Sequence, residues 1–243
     1  QYVHLLSNSG IGLPTDLWVS STAKVKPQLS QQIALGTTHN ILGKQYEISV
    51  ESYYKWMENL IEYKQGASFL NPTDWQNTVE TNGKGEAYGF EFLFRKKEGK
   101  TTGWVGYTLA WTNRQFSALN NGHWFPYRYD RRHDISVVLN HQFSKKFDMG
   151  MTWVYGSGNT FTAPVANILL SPSFGDFGFT DTYEVYSDRN GLRMPAYHRF
   201  DLGLNFHKKT SWGRRTWNIS VYNLYNRRNP FYLYLTQNRA GEK

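Results

Sequence analysis

Seven histidines, His4, His39, His123, His133, His141, His198 and His207, are the side chains best suited to bind a metal or to move protons near neutral pH. None stands in an HExxH pair or in a close paired spacing that would set two imidazoles on one ion. The chain has no cysteine, so disulfides and thiolate sites are excluded. Glu47 and Glu51 fall on one side of an alternating stretch, and two carboxylates so placed can divide acid and base work. Charges facing a wet cavity explain the same spacing without chemistry. The run from Asp130 to Asp134 sets His133 among acids and arginines. Adjacent strand side chains point to opposite faces, however, so Asp130, Arg132 and Asp134 would share a face that His133 does not, and a structural charge cluster is expected. The stretch Gly156 to Asn159 reads GSGN but is followed by neither Lys nor a helical pattern, which makes it a strand exit rather than a phosphate loop. These residues predict no enzyme, no catalytic residue, no metal and no cofactor.

The elements that would position such residues are strands. Aromatic residues form 17% of the chain while its mean hydropathy is −0.61, a pairing suited to a wall with ring girdles and a polar inner side. No apolar run reaches about 18 residues, which excludes a membrane-spanning helix and leaves a barrel as the only spanning form. Period-two alternation is cleanest in Arg199 to Phe206, with Phe200, Leu202, Leu204 and Phe206 on one side and Arg199, Asp201, Gly203 and Asn205 on the other. Gln45 to Trp56, Ala87 to Arg95 and Trp104 to Thr112 repeat it. The stretches Ile135 to Phe143, Phe147 to Tyr155, Trp217 to Tyr225 and Leu29 to Leu35 follow it less strictly, for eight strands in all.

Short connections (Lys97 to Thr102, Ser144 to Lys146, Lys208 to Gly213) mostly alternate with long ones (Gly66 to Thr81, Ser117 to Tyr127, Gly158 to Pro195), so each kind would gather on its own rim. That is the pattern of a transmembrane barrel with short periplasmic turns and long outer loops. The apolar face would meet lipid, and the face carrying Glu47, Glu51, Glu91, Arg95, Arg199 and Asp201 would line a wet lumen. Rings in the outer connections, Trp124, Phe125, Tyr127, Phe174, Phe177, Phe179, Tyr183 and Tyr186, are candidates to contact a solute or to pack loop on loop. Asn229 and Pro230 interrupt one long strand expected from Arg215 to about Thr236, where proline calls for a bulge.

The formal charge of +8 raises nucleic acid as a partner. Lys and Arg are scattered over short turns (Lys96, Lys97, Lys100; Lys145, Lys146; Lys208, Lys209; Arg214, Arg215), which argues for solvated turns or turns beside anionic head groups, and no nucleic-acid partner is expected. The chain opens on Gln1 without a leader, so a processed product or an internal fragment is expected. Strand parity likewise predicts that one descending strand is missing after the last.

Several stretches in order and spacing resemble the C-terminal part of the barrel of TonB-dependent receptors. They are GLPTDLW (Gly12 to Trp18), VKPQLSQQIALG (Val25 to Gly36), the run Val50 to Ala67, GYTLAWTNRQF (Gly106 to Phe116), YDRRHD (Tyr129 to Asp134), WVYGSGNTFTAP (Trp153 to Pro164), RFDLGLNF (Arg199 to Phe206) and NLYNRRNPF (Asn223 to Phe231). The resemblance covers nearly the whole chain. It implies an all-β fold, an antiparallel transmembrane β-barrel segment of about eight of 22 strands, with residues 1–243 as one unit and the plug domain, TonB box and last strand absent. It also implies energy-coupled uptake of a scarce nutrient across the bacterial outer membrane: a metal chelate or siderophore, cobalamin, an oligosaccharide or a peptide. The partners would be outer-membrane lipid, TonB through the absent N-terminal region, and a surface lipoprotein. A passive or secretory outer-membrane barrel and a soluble all-β binding module stay open as alternatives.

Overall fold

The computed structural model describes residues 3–7, 16–64, 67, 72–169 and 182–233. Among these residues fifteen strands form in chain order: β1 (Val3–Ser7), β2 (Asp16–Ser20), β3 (Leu29–Ile41), β4 (Tyr46–Tyr63), β5 (Val79–Lys96), β6 (Thr101–Gln115), β7 (Phe125–Pro126), β8 (His133–Ser144), β9 (Phe147–Gly156), β10 (Thr160–Phe161), β11 (Pro164–Leu169), β12 (Thr182–Tyr186), β13 (Leu192–Arg193), β14 (Tyr197–Thr210) and β15 (Gly213–Val221). The large sheet runs β3-β4-β5-β6-β8-β9-β14-β15, each antiparallel to the next, with β7 added beside β6. Its eight long members are the alternating segments of the sequence, and the sheet is an open arc of a barrel wall. Four tight turns, after Ile41, Lys96, Ser144 and Thr210, lie on one rim, and the long connections lie on the other.

The register fixes two faces. Glu47 stands opposite Arg95 and Glu51 opposite Glu91. Thr108 and Asp134 continue the Glu51 row, while Thr152 stands opposite Asp201 and Val154 opposite Arg199. The other face carries rings in two bands. Tyr46 and Phe94, and Phe143, Phe147 and Phe206, stack near the short turns. Tyr54, Tyr88 and Trp111, Tyr107 and His133, and Phe200 and Tyr225 stack farther out. From Phe147 to Tyr155 an extended strand covers about 26 Å, and a tilt of about 40° reduces this to about 20 Å, close to the apolar band of such a barrel.

Beyond the outer ring band the alternation breaks. The β4–β5 ladder shifts register between Met57 and Leu60 and again before Glu62, with Asn59 and Asn82 in left-handed backbone at φ 56° and 59°. This bulge turns Leu60 inward beside Phe116, Leu119 and Phe125 in a small core. A second core joins Leu6 of β1 and Val19 of β2 to Val25, Ile61, Tyr63 and Val79, which seats the β1–β2 hairpin on the outer end of β4. Gly83 makes room in the first of these cores, because a Cβ would come within 2.3 Å of the Phe116 ring. Gly83→Ala is expected to destabilise the outer rim by about 1–3 kcal/mol through overpacking. Urea unfolding checks this: Gly83→Ala/Phe116→Leu should recover part of the loss, and a wild-type midpoint for the single variant would show that the ring is free to move.

Two expectations are corrected. No long strand continues from Arg215, because β15 ends at Val221 and Asn223 and Asn226 adopt left-handed backbone at φ 53° and 52°. The Asn223 side chain accepts from Arg227 N (3.0 Å) and donates to its carbonyl (3.0 Å), closing a turn rather than a bulge. Asn229 then pairs its side-chain amide with His198, accepting from the backbone N–H (3.1 Å) and donating to the carbonyl (2.9 Å), and so imitates one ladder rung. The long connection after Gly156 is also not bare: β10 pairs β13 and β11 pairs β12 within it.

Candidate functional site

The outer rim concentrates buried polar chemistry on the same face as Glu47 and Arg95. The β4 bulge aims Glu62 inward, 2% exposed, where its two oxygens accept from Arg114 of β6 and from Arg189 of the last long connection, both at 2.9 Å. Arg114 also donates to the Ile61 carbonyl (3.2 Å) and lies 3.6 Å from the Tyr127 ring centre. Next to it, the Asn190 side chain donates to the Pro126 carbonyl (2.9 Å), and its backbone N–H donates to the Thr162 hydroxyl (2.9 Å). Asp130 is a second buried acid, accepting from Thr112 N (2.8 Å), Arg132 (3.3 Å) and Arg193 (2.5 Å). Arg193 reaches on to the Gly158 carbonyl (2.8 Å). Two buried carboxylates thereby clamp the inner end of the last long connection to β4, β6 and the segment before β8.

An open cavity of about 450 Å³ adjoins the clamp, lined by Arg128, Tyr129, Arg131, Asn159, Tyr197 and Phe231 among others. Arg128 is buried and, among the described residues, forms no ion pair, whereas Arg131 pairs with Asp134 at 3.7 Å. Among the described residues the lining thus holds two guanidinium groups and no acid. Tyr129 donates to Asp16 (2.7 Å), and its phenol is pushed up to about 12, first by burial and then by that hydrogen bond. The neutral form is favoured by folding, so this contribution to stability is complete below about pH 10 and is lost as pH climbs towards the folded value. In an alkaline titration Tyr129→Phe should remove tyrosinate absorbance only from the last stage. Loss from the stage near pH 10 would contradict the placement.

By register Glu47, Glu51, Glu91, Arg95, Arg199 and Asp201 lie on one face of the large sheet. Glu47 is held by Lys97 (2.7 Å) and Arg199 by Asp201 (2.9 Å), with Arg199 also donating to the phenol oxygens of Tyr197 (2.9 Å) and Tyr222 (2.5 Å). Glu51, Glu91, Asp134 and Ser136 line a shared depression. The ring residues divide. Phe125 is 2% exposed and packs against Phe116, so it is core and not a solute contact. Tyr127 is engaged by Arg114 and by Ser7 (3.3 Å). Trp124 and Tyr186 stay 44% and 40% exposed. Phe174, Phe177 and Phe179 lie outside the described residues, as does the side chain of Tyr183, whose backbone is in β12.

The run from Asp130 to Asp134 is also corrected in part. Asp134 pairs with Arg131 rather than joining Asp130 and Arg132, because β8 begins only at His133 and strand alternation does not extend upstream. His133 lies on the ring face, where its Nδ1 is 2.9 Å from the Tyr107 hydroxyl. Sequence reasoning missed Glu62, Arg114, Arg189 and Arg193. The left-handed Asn59 was the local cue that Glu62 turns inward, and nothing in the sequence pairs it with Arg189.

The family model described as TonB dependent receptor-like, beta-barrel matches residues 6–224. The chain belongs to this family. A search of curated proteins finds no match. Among solved structures, the ferric-catecholate import receptor Fiu of E. coli K12 is similar with a TM-score of 0.56 at 16% identity, over 88% of this chain and 26% of that one. The ferripyoverdine receptor of Pseudomonas aeruginosa, bound to ferripyoverdine, gives 0.52 at 14%, over 84% and 24%. The FrpB iron transporter of Neisseria meningitidis gives 0.51 at 13%, over 86% and 28%. This TonB-dependent-receptor-like chain therefore spans about a quarter of the length of those structures, and at these identities the likeness is one of fold.

Proposed function

We propose that the complete protein is a TonB-dependent transporter of the bacterial outer membrane, in which this chain forms part of the barrel wall with its outer loops. The two-faced sheet carries the reading: one face is apolar and double-banded with rings, and the other holds Glu47, Glu51, Glu91, Arg95, Arg199 and Asp201 for a wet lumen. The cargo is a scarce solute such as a metal chelate, cobalamin or an oligosaccharide. A ferric chelate is the first to test, since the three similar structures are iron receptors by name. Trp124, Tyr186 and the cavity beside Arg128 are where the solute first meets this chain, and a surface lipoprotein over the loops would accompany glycan or peptide cargo. The chain takes no catalytic part.

Cells expressing the full protein should accumulate labelled ferric chelate only when TonB is present, and the protein should sediment with outer membranes until detergent is added. Uptake undiminished without TonB would establish a passive barrel instead. Release without detergent would establish a soluble module.

A further inference from the structure

The basic residues that look scattered in the sequence come together on one rim. Because every tight turn lies at the same end of the sheet, Lys44, Lys96, Lys97, Lys100, Lys145, Lys146, Lys208, Lys209, Arg214 and Arg215 all gather there. Lys97 is answered by Glu47 (2.7 Å). The last hairpin instead sets Lys208 directly opposite Arg215, and Lys209 opposite Arg214. Like charges facing each other across a ladder are destabilising, and an external anion relieves them. At the tip of this hairpin Trp212 stands 84% exposed.

Only some of these cations share the ring-bearing face. Lys96 follows Phe94 by two residues and its ammonium lies 5.4 Å from the Tyr46 ring centre. Lys208 follows Phe206 by two residues, and Arg215 precedes Trp217 by two, with its guanidinium 5.8 Å from that ring centre. On this face Phe94, Phe206 and Trp217 are each succeeded, about 7 Å nearer the short turns, by a cation. Rings of this kind sit at the membrane interface, and a long basic side chain just beyond them places its charge at headgroup level. Lys209 and Arg214 point to the opposite face, with His207 and Asp148.

We propose that the short-turn rim is a seat for anionic phospholipid head groups, held at two places four strands apart, by Lys96 beside Tyr46 and by the facing Lys208 and Arg215 beside Phe206 and Trp217, with these rings holding the upper acyl region. This rests on the ring-bearing face meeting lipid. Each such cation gains from a negatively charged surface, and the gain falls within a Debye length of salt.

The full protein is reconstituted in vesicles of phosphatidylcholine alone and in vesicles with about a third phosphatidylglycerol, and the unfolding midpoint is read in each. The anionic lipid should raise the midpoint by about a few degrees, an effect removed by about 1 M salt. Lys96→Gln/Lys208→Gln/Arg215→Gln should lose that rise without lowering the midpoint in phosphatidylcholine, and Lys209→Gln/Arg214→Gln should keep it. Heat-dependent gel mobility confirms that each variant is folded. No response to anionic lipid, a response surviving in the triple variant, or equal loss in the control pair would overturn the seat. Failure to insert into phosphatidylcholine at all would instead overturn the wall reading beneath it.

Discussion

Met151→Arg is expected to destabilise the inserted barrel by about 2–4 kcal/mol, whereas Thr152→Arg, one residue on, should cost little. Met151 lies midway along β9 between Phe147 and Tyr155, and its ladder neighbours are Leu139 and Leu202. On the reading proposed here its side chain projects into hydrocarbon at the middle of the bilayer, where a guanidinium must snorkel or draw water inward. Thr152 faces the other way, opposite Asp201 and Val138, so an arginine there would meet a wet surface and a nearby carboxylate. Equilibrium unfolding in vesicles measures both. Equal costs for the two, or a larger cost at Thr152, would remove the assignment of faces, and with it the transporter reading.

The second large effect is predicted outside the bilayer. Glu62→Ala removes the carboxylate that Arg114 and Arg189 share and leaves two guanidinium groups facing each other across its space. Breaking a buried pair from one side costs about 3–5 kcal/mol, since the remaining charge stays desolvated. The loss should be local, because the clamp holds a connection to the rim while the ladder below is made by backbone pairing. Hydrogen exchange should quicken in residues 186–196 and around β7, with β8 and β9 unchanged, and Glu62→Gln/Arg189→Gln should restore part of the protection. Unaltered exchange in residues 186–196 would show that the clamp contributes nothing to holding that connection.

The strands of the wall were legible because one face of a sheet repeats every second residue, and a wall between lipid and a wet interior demands opposite chemistry at successive positions. Arg199 to Phe206 shows its faces without any knowledge of its neighbours. The alternation of short and long connections likewise assigns each to a rim from order alone. Where the spacing rule stopped, so did the reading: Asn59 and Asn82 carry the backbone into left-handed conformation, the β4–β5 register slips, and Glu62 ends on a face that simple alternation does not give. The end of β15 at Val221 escaped for the same reason, since Asn223 closes its turn through a side chain instead of a ladder bond.

Sequence by itself determined the two-faced strands, their number and the rims, each of which depends on residues near in the chain. Tertiary structure alone decided the pairings of Glu62 with Arg189 and of Asp130 with Arg193, and the burial of Phe125. Those contacts join positions far apart in the chain, and the partner of a buried charge follows from which strands lie side by side and how the register aligns them, which no local periodicity encodes.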